Sequence, residues 1–263
     1  LHWLDTVAQS GDVTETQAVT QLESIRMATG KLKDISFETI SGAGPNGALC
    51  HYRVSEDTDR KLERGGLFLV DSGGQYLDGT TDITRTVAIG DPTAEMRRHY
   101  TLVLKGHIAL SVVRFPAGTT GTHLDILARH ALWQAGLDYD HGTGHGIGHR
   151  LSVHEHPQRI GKPHNPVDLK PGMVVSIEPG FYEADRFGIR IENVFEIIEQ
   201  DNGFMAFRNM TFAPIQTDML MPQQLTLVEK AWLASYHSEL TTTLKPFLSD
   251  TAVNWLEASI IPN

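Results

Sequence analysis

Residues 66–89 constrain the fold more than any other stretch of the chain. The apolar run Gly66-Leu67-Phe68-Leu69-Val70 ends at Asp71, and Ser72-Gly73-Gly74 forms a turn. Residues 81–89 then alternate well enough to read as a second strand. Together these segments predict an antiparallel pair, so part of the core must rest on an antiparallel sheet. The same pairing draws Asp71, at the end of one strand, towards Asp82, at the start of the next.

The flanks read as helices. Residues 14–29 place Val19, Leu22 and Ile25 on one side, with Thr14 and Gln17 in capping-box spacing and Gly30 as a stop. Residues 93–113, 122–135, 225–240 and 252–259 also carry helical patterns. Residues 37–47 read as a Gly/Ser/Pro/Asn loop, and residues 140–156, rich in Gly and His, as a site loop or strand end. Residues 173–177 form an apolar strand reaching Glu178, and residues 188–198 alternate as one strand running through Glu192. Strands in the middle with helices around them predict an α+β fold with a largely antiparallel sheet.

Five residues carry the candidate chemistry: Asp71, Asp82, His145, Glu178 and Glu192. Each alone has an ordinary explanation. An Asp before Ser-Gly-Gly is turn chemistry, Asp82 between threonines could be solvated, and Glu192 could pair with Arg190 on an exposed face. Together they are harder to dismiss. Glu178 closes an apolar strand, where a bare carboxylate is costly to bury. His145 lies between Gly144 and Gly146, which leave room for a ligand. Four carboxylates and an imidazole make a hard donor set suited to Mn²⁺-like ions, and four negative charges balance two divalent cations.

The motifs around these residues resemble those of the pita-bread metallopeptidases, and within them the Xaa-Pro aminopeptidases (aminopeptidase P). The paired-aspartate segment is Asp71-Ser-Gly-Gly-Gln-Tyr-Leu-Asp-Gly-Thr-Thr-Asp82-Ile-Thr-Arg-Thr. The histidine segment is His141-Gly-Thr-Gly-His145-Gly-Ile-Gly followed by Val153-His154-Glu155. Ser176-Ile-Glu178-Pro-Gly-Phe-Tyr and Gly188-Ile-Arg-Ile-Glu192-Asn-Val are similar to the two glutamate segments. Residues 39–52, with Cys50 and His51, match an upstream histidine segment, and the tail resembles the C-terminal extension of the long branch.

The resemblance implies a curved, largely antiparallel pita-bread sheet flanked by helices. Residues 1–210 would form the catalytic domain and 211–263 a helical extension packed on it, with further domains preceding Leu1 in the whole protein. It implies two divalent ions, Mn²⁺ with Zn²⁺ or Co²⁺ as alternatives. Asp71 would hold one, His145 and Glu178 the other, and Asp82 and Glu192 would bridge both. A metal-bridging hydroxide would attack the N-terminal Xaa-Pro bond, with Glu178 taking its proton. His51 and His154 would donate to the carbonyl oxygen, and His141 would place the proline side and shuttle protons. The rival readings are a prolidase, restricted to dipeptides, and a pita-bread binding module without catalysis. His149 and His156 read as surface histidines, and Cys50 as a small buried hydrophobe.

Composition bounds the partners. A net charge of −10 argues against nucleic acid, and no apolar stretch approaches the roughly 18–20 residues of a membrane span. With one cysteine the chain has no internal disulfide, which agrees with a cytoplasmic setting. Peptides with proline second, and a second copy in a homodimer, are the expected partners.

Overall fold

The structure, a computed structural model, describes residues 1–260; the last three residues of the expected C-terminal extension lie outside the described residues. Helix α1 (His2–Thr6) opens the chain and α2 (Glu15–Ala28) follows. The capping box is formed: the Gln17 N–H donates to the Thr14 hydroxyl at 3.3 Å, and the Thr14 N–H donates to the Gln17 side chain at 3.0 Å. Such a cap is worth about 1 kcal/mol. Gly30 ends the helix with φ of 66°, a left-handed backbone that glycine adopts without strain.

Residues 37–47, expected as a loop, are more ordered. After β1 (Asp34–Ile35), strand β2 (Ile40–Ala43) forms and a 3₁₀ turn follows at Gly44–Ala48. The small polar composition read as loop because the partners of this backbone are distant in sequence. Buried Glu15 accepts the Ala43 N–H at 2.6 Å and its carbonyl accepts the Ser41 hydroxyl at 2.9 Å. Strand β3 (Gly66–Ser72), the short β4 (Gly74–Gln75) and β5 (Ile83–Ile89) come next. β3 pairs antiparallel with both β2 and β5, and Asp71 lies opposite Thr84.

Helix α3 (Ala94–Ser111), strand β6 (Phe115–Pro116) and helix α4 (Gly121–Gln134) lead into β7 (Gly144–Gly146), β8 (Glu155–Ile160) and β9 (Val174–Ile177). A hairpin of β10 (Gly180–Glu183) and β11 (Phe187–Arg190) precedes β12 (Asn193–Glu199) and β13 (Phe204–Asn209). The six-stranded sheet has the order β6-β13-β12-β9-β7-β8 and the three-stranded one β2-β3-β5. Every strand pair among the described residues is antiparallel, as the α+β reading requires.

The strand expected to run unbroken through Glu192 is two strands. β11 pairs with β10, whereas β12 pairs with β9 and β13, so the chain changes partners at Ile191-Glu192. Alternation persists across the break because both halves are buried. At the break the Glu192 N–H donates to the Thr84 carbonyl of β5 at 3.2 Å, which ties the two main sheets together.

The core lies between these sheets and the helices. Leu110, Leu124 and Ala128 of α3 and α4 pack on Val175, Ile177, Phe195 and Ile197. Helix α5 (Leu227–Leu244) buries Leu233, Tyr236, His237 and Leu240, the i, i+3, i+4, i+7 face of one helix, and α6 (Asp250–Ser259) buries Val253 and Leu256. Leu233, Leu240 and Leu256 join Tyr100, Leu104, Phe187 and Ile189 in one cluster, so residues beyond 210 share the core of the strands before them. Each such side chain, fully buried, contributes about 1.5–3 kcal/mol.

Candidate metal centre and active site

A cleft of about 570 Å³ opens where the two sheets meet, and Asp71, Asp82, His145, Glu178 and Glu192 all line it. Asp71 comes from β3, Asp82 from the residue before β5, His145 from β7, Glu178 from the residue after β9 and Glu192 from the residue before β12. Backbone pairing puts them there. Gly144 permits it locally, because a side chain at that position would meet the Ser176 carbonyl of β9 at 2.0 Å. One ligand atom each of Asp82, His145 and Glu192 lie mutually within 4.8 Å. The His145 Nε2 is 3.4 Å from both Asp82 Oδ2 and Glu178 Oε1. Its Nδ1 is 2.9 Å from the Gly146 carbonyl, which aims Nε2 at the carboxylates.

The ordinary explanation of Glu192, an exposed pair with Arg190, does not hold. Glu192 is 1% and Arg190 2% exposed. Arg190 instead donates to Asp71 Oδ2 at 2.6 Å, to the Tyr182 hydroxyl at 2.6 Å and to the Thr84 hydroxyl at 3.1 Å. The Thr84 hydroxyl donates in turn to Glu192 Oε2 at 2.8 Å.

The acids are crowded, and their protonation shows it. Burial pushes Glu178 up to about 7, against the pull of His145 and Arg190. Burial, then the charges of Asp82, Glu178 and Asp71, hold Glu192 well above the usual carboxylate range, and burial also raises Asp82. Burial works against a charged His145, but the Asp82 hydrogen bond and the Glu178 charge outweigh it and lift it to about 9. One atom stands apart: Asp71 Oδ1 is buried and has no hydrogen-bond partner among the described residues. A hard, oxygen-rich, proton-hungry cluster with an orphaned carboxylate oxygen fits divalent metal ions.

The other three candidate histidines, His51, His141 and His154, line the same cleft. His51 and His154 are exposed, and the His154 ring meets His145 edge-on at 4.2 Å. Burial and the charge of His145 push His154 down. His141, expected to place the proline side and shuttle protons, has its ring held by two hydrogen bonds. Its Nδ1 donates to the Gly142 carbonyl at 2.8 Å and its Nε2 accepts from the Tyr182 hydroxyl at 2.8 Å. Burial, with Arg190 nearby, lowers it to about 3, so it stays neutral with both nitrogens engaged. Cys50 is not the buried hydrophobe expected of it: it is partly exposed, lines the cleft, and its Sγ is 3.5 Å from the His51 Nδ1. His149 and His156 are exposed, as read from the sequence.

Sequence reasoning missed four residues that hold the site. Arg190 and Tyr182 form the chain Asp71–Arg190–Tyr182–His141, Thr84 fixes Glu192, and Ser176 links His145 to Glu178. The Ser176 hydroxyl accepts the His145 N–H at 2.9 Å and donates to Glu178 Oε1 at 3.2 Å. Arg190 and Tyr182 stand inside the two glutamate motifs, where the charged arginine in an otherwise apolar strand was the available signal.

Residues 2–199 match metallopeptidase family M24, and residues 203–262 match the C-terminal region of peptidase M24. Aminopeptidase P1 of Lotus japonicus is 49% identical over 97% of this chain and 40% of its own length. A probable Xaa-Pro aminopeptidase P of Laccaria bicolor is 45% identical over 99% of this chain and 42% of its own. This chain thus spans less than half the length of these curated relatives. The X-prolyl aminopeptidase of Caenorhabditis elegans, described as a cytosolic enzyme with a di-nuclear active site, superposes with a TM-score of 0.93. It is 40% identical, over 99% of this chain and 44% of that one. The prolidase of Pyrococcus furiosus gives a TM-score of 0.66 at 32% identity, over 77% and 58% of the two chains. With the match covering residues 2–199 and the acids and histidine of its motifs gathered in one cleft, the chain belongs to metallopeptidase family M24.

Proposed function

We propose that this chain is the catalytic part of an Xaa-Pro aminopeptidase that hydrolyses the N-terminal bond of peptides with proline second. The observation that carries the reading is the convergence of Asp82, His145 and Glu192 within 4.8 Å, beside Glu178 and Asp71, on one cleft. Its relatives named as aminopeptidases P, and the di-nuclear active site of the C. elegans enzyme, support it.

Asp71, Asp82, His145, Glu178 and Glu192 would hold two divalent ions, and the hard donor set favours Mn²⁺ over softer metals. When bound, such a pair supplies Lewis acidity and a water acidic enough to lose a proton near neutrality. Glu178, on the same cleft, would accept a proton there and pass it to the leaving amine nitrogen of proline. His51 and His154, exposed to the cleft, would donate to the carbonyl oxygen as it gains charge. His141, its ring held by the Tyr182 hydroxyl, would form a fixed wall for the proline ring. Proline's tertiary amide has no N–H to grip, so shape must select it.

In this reading residues 1–210 form the catalytic domain and 211–263 the helical extension. A homodimer and a cytoplasmic location belong to the same proposal; the cytosolic nature of the C. elegans enzyme supports the latter. No helix of the described residues is long and apolar enough to cross a membrane. The test is elemental analysis of the full-length protein, with Xaa-Pro dipeptides and tripeptides assayed before and after chelation. Chelator-sensitive cleavage of tripeptides is expected. Cleavage of dipeptides alone would make it a prolidase, and no cleavage by the metal-loaded protein would overturn the proposal.

A further inference from the structure

We infer that the C-terminal region sets the position of Glu192, with Tyr236 of α5 acting on it through Arg85. The inference rests on the reading of Glu192 as a metal ligand. Arg85 lies on β5, 3% exposed, and all of its donors point into one small cage. Nη1 donates to the Glu192 carbonyl at 2.5 Å and to the Thr84 carbonyl at 2.9 Å. Nη2 donates to the Asn193 side chain at 2.7 Å, the Ala213 carbonyl at 2.9 Å and the Tyr236 hydroxyl at 3.0 Å. Nε donates to the Pro214 carbonyl at 3.1 Å.

Tyr236 closes that cage from the far side. Its hydroxyl accepts from Arg85 and from the Ala213 N–H at 3.4 Å, and donates to the Ala213 carbonyl at 2.7 Å. Its ring, 5% exposed, stacks on Trp232 at 5.3 Å, so α5 holds it rigidly. Glu192 is thus fixed at three points: carboxylate by the Thr84 hydroxyl, N–H by the Thr84 carbonyl, and carbonyl by Arg85. Two of these come from Thr84 of β5 alone. The third depends on an arginine whose orientation residues 213, 214 and 236 determine. A guanidinium fork suits this task because it reaches several acceptors at fixed angles, which a lysine cannot do. Tyr236 and Arg85 are therefore positioning residues, and the C-terminal region takes part in shaping the metal site.

The test is Mn²⁺ affinity by calorimetry and the visible spectrum of bound Co²⁺, on full-length protein. Tyr236→Phe keeps the ring and removes the hydroxyl; it should bind Mn²⁺ about tenfold more weakly and change the Co²⁺ bands, as loss of an outer partner of a ligand does. Leu240→Val loosens the same helix without touching the cage, and should bind Mn²⁺ as the wild type does. Wild-type affinity and spectrum in Tyr236→Phe would overturn the inference, as would an equal loss in Leu240→Val. Should Tyr236→Phe fail to fold, Arg85→Lys decides on the same readouts, with lowered affinity expected and wild-type affinity overturning. Glu192→Gln separates the two ideas. Unchanged metal binding there would sink the ligand reading itself, whereas lost metal there with intact binding in Tyr236→Phe would sink only the coupling.

Discussion

Arg190 donates to one oxygen of Asp71 at 2.6 Å and leaves the other buried without a hydrogen-bond partner among the described residues. The arginine therefore orients a carboxylate for something else. In the metal-free protein it also offsets the Asp71 charge at close range. Removing one member of a buried pair typically costs about 3–5 kcal/mol, because the other is left uncompensated. Arg190→Met should melt well below the wild type without metal, and the gap should narrow once Mn²⁺ is present to offset the Asp71 charge. Equal gaps in both states would mean that Asp71 does not meet the metal.

Metal binding should release protons. At pH 7 the metal-free site holds a proton on His145, lifted to about 9, and part of one on Glu178, pushed up to about 7. Ligation needs both groups deprotonated, so roughly one to two protons should leave as the site fills. Calorimetry in buffers of different ionisation enthalpy measures that number. Affinity should rise with pH, and chelator should lower the melting temperature. Release of no protons, or identical melting of loaded and stripped protein, would contradict the assignment.

Much of this was legible in the sequence, for a physical reason. The antiparallel pair of residues 66–89, the capping box at Thr14 and the acid that ends each strand are local signals, carried by turn chemistry and alternation. What stayed hidden depends on partners far apart in sequence. β2 looked like a loop because Glu15, 28 positions before Ala43, satisfies its backbone. The break at Glu192 was invisible because both strands are buried and keep alternating. The fixed ring of His141 depends on Tyr182, 41 positions later, and nothing in the histidine motif specifies it.

Acid should destabilise the fold through two histidines away from the cleft. Burial, then the Arg85 charge, lowers His107 to about 3 and His237 to about 4. Both are depressed below the ~6.5 of an unfolded chain, so the unfolded state takes up protons first. Above that pH both states hold them neutral, so they add nothing to the slope. As pH falls from about 6.5 towards 4, these two histidines should contribute a loss of stability with a slope approaching two protons, roughly 2–3 kcal/mol per pH unit. Urea titrations of metal-free protein across that range measure the slope. His107→Phe, placed between Phe195 and Trp232, should reduce it by about one proton. An unchanged slope in that variant would show that His107 is protonated in the folded state.

His154→Ala should cut turnover far more than metal content. Two structural facts set the expectation. His154 is exposed in the cleft, and its ring stands edge-on to His145, 4.2 Å away, without joining the group of atoms that can hold a metal. An exposed side chain of this kind contributes little to stability, so the variant should melt within about 1 °C of wild type, where surface changes usually stay within ~0.5 kcal/mol. Loss of a donor aimed at developing oxyanion charge typically lowers kcat by ~10²–10³. Glu192→Ala provides the contrast, because a buried ligand that Thr84 and Arg85 hold in place should take metal and activity with it. The measurements are metal content, melting temperature and turnover on an Xaa-Pro tripeptide for both variants. A folded, metal-loaded His154→Ala protein with near wild-type turnover would remove His154 from the catalytic set and leave His51 as the remaining candidate donor to the carbonyl oxygen.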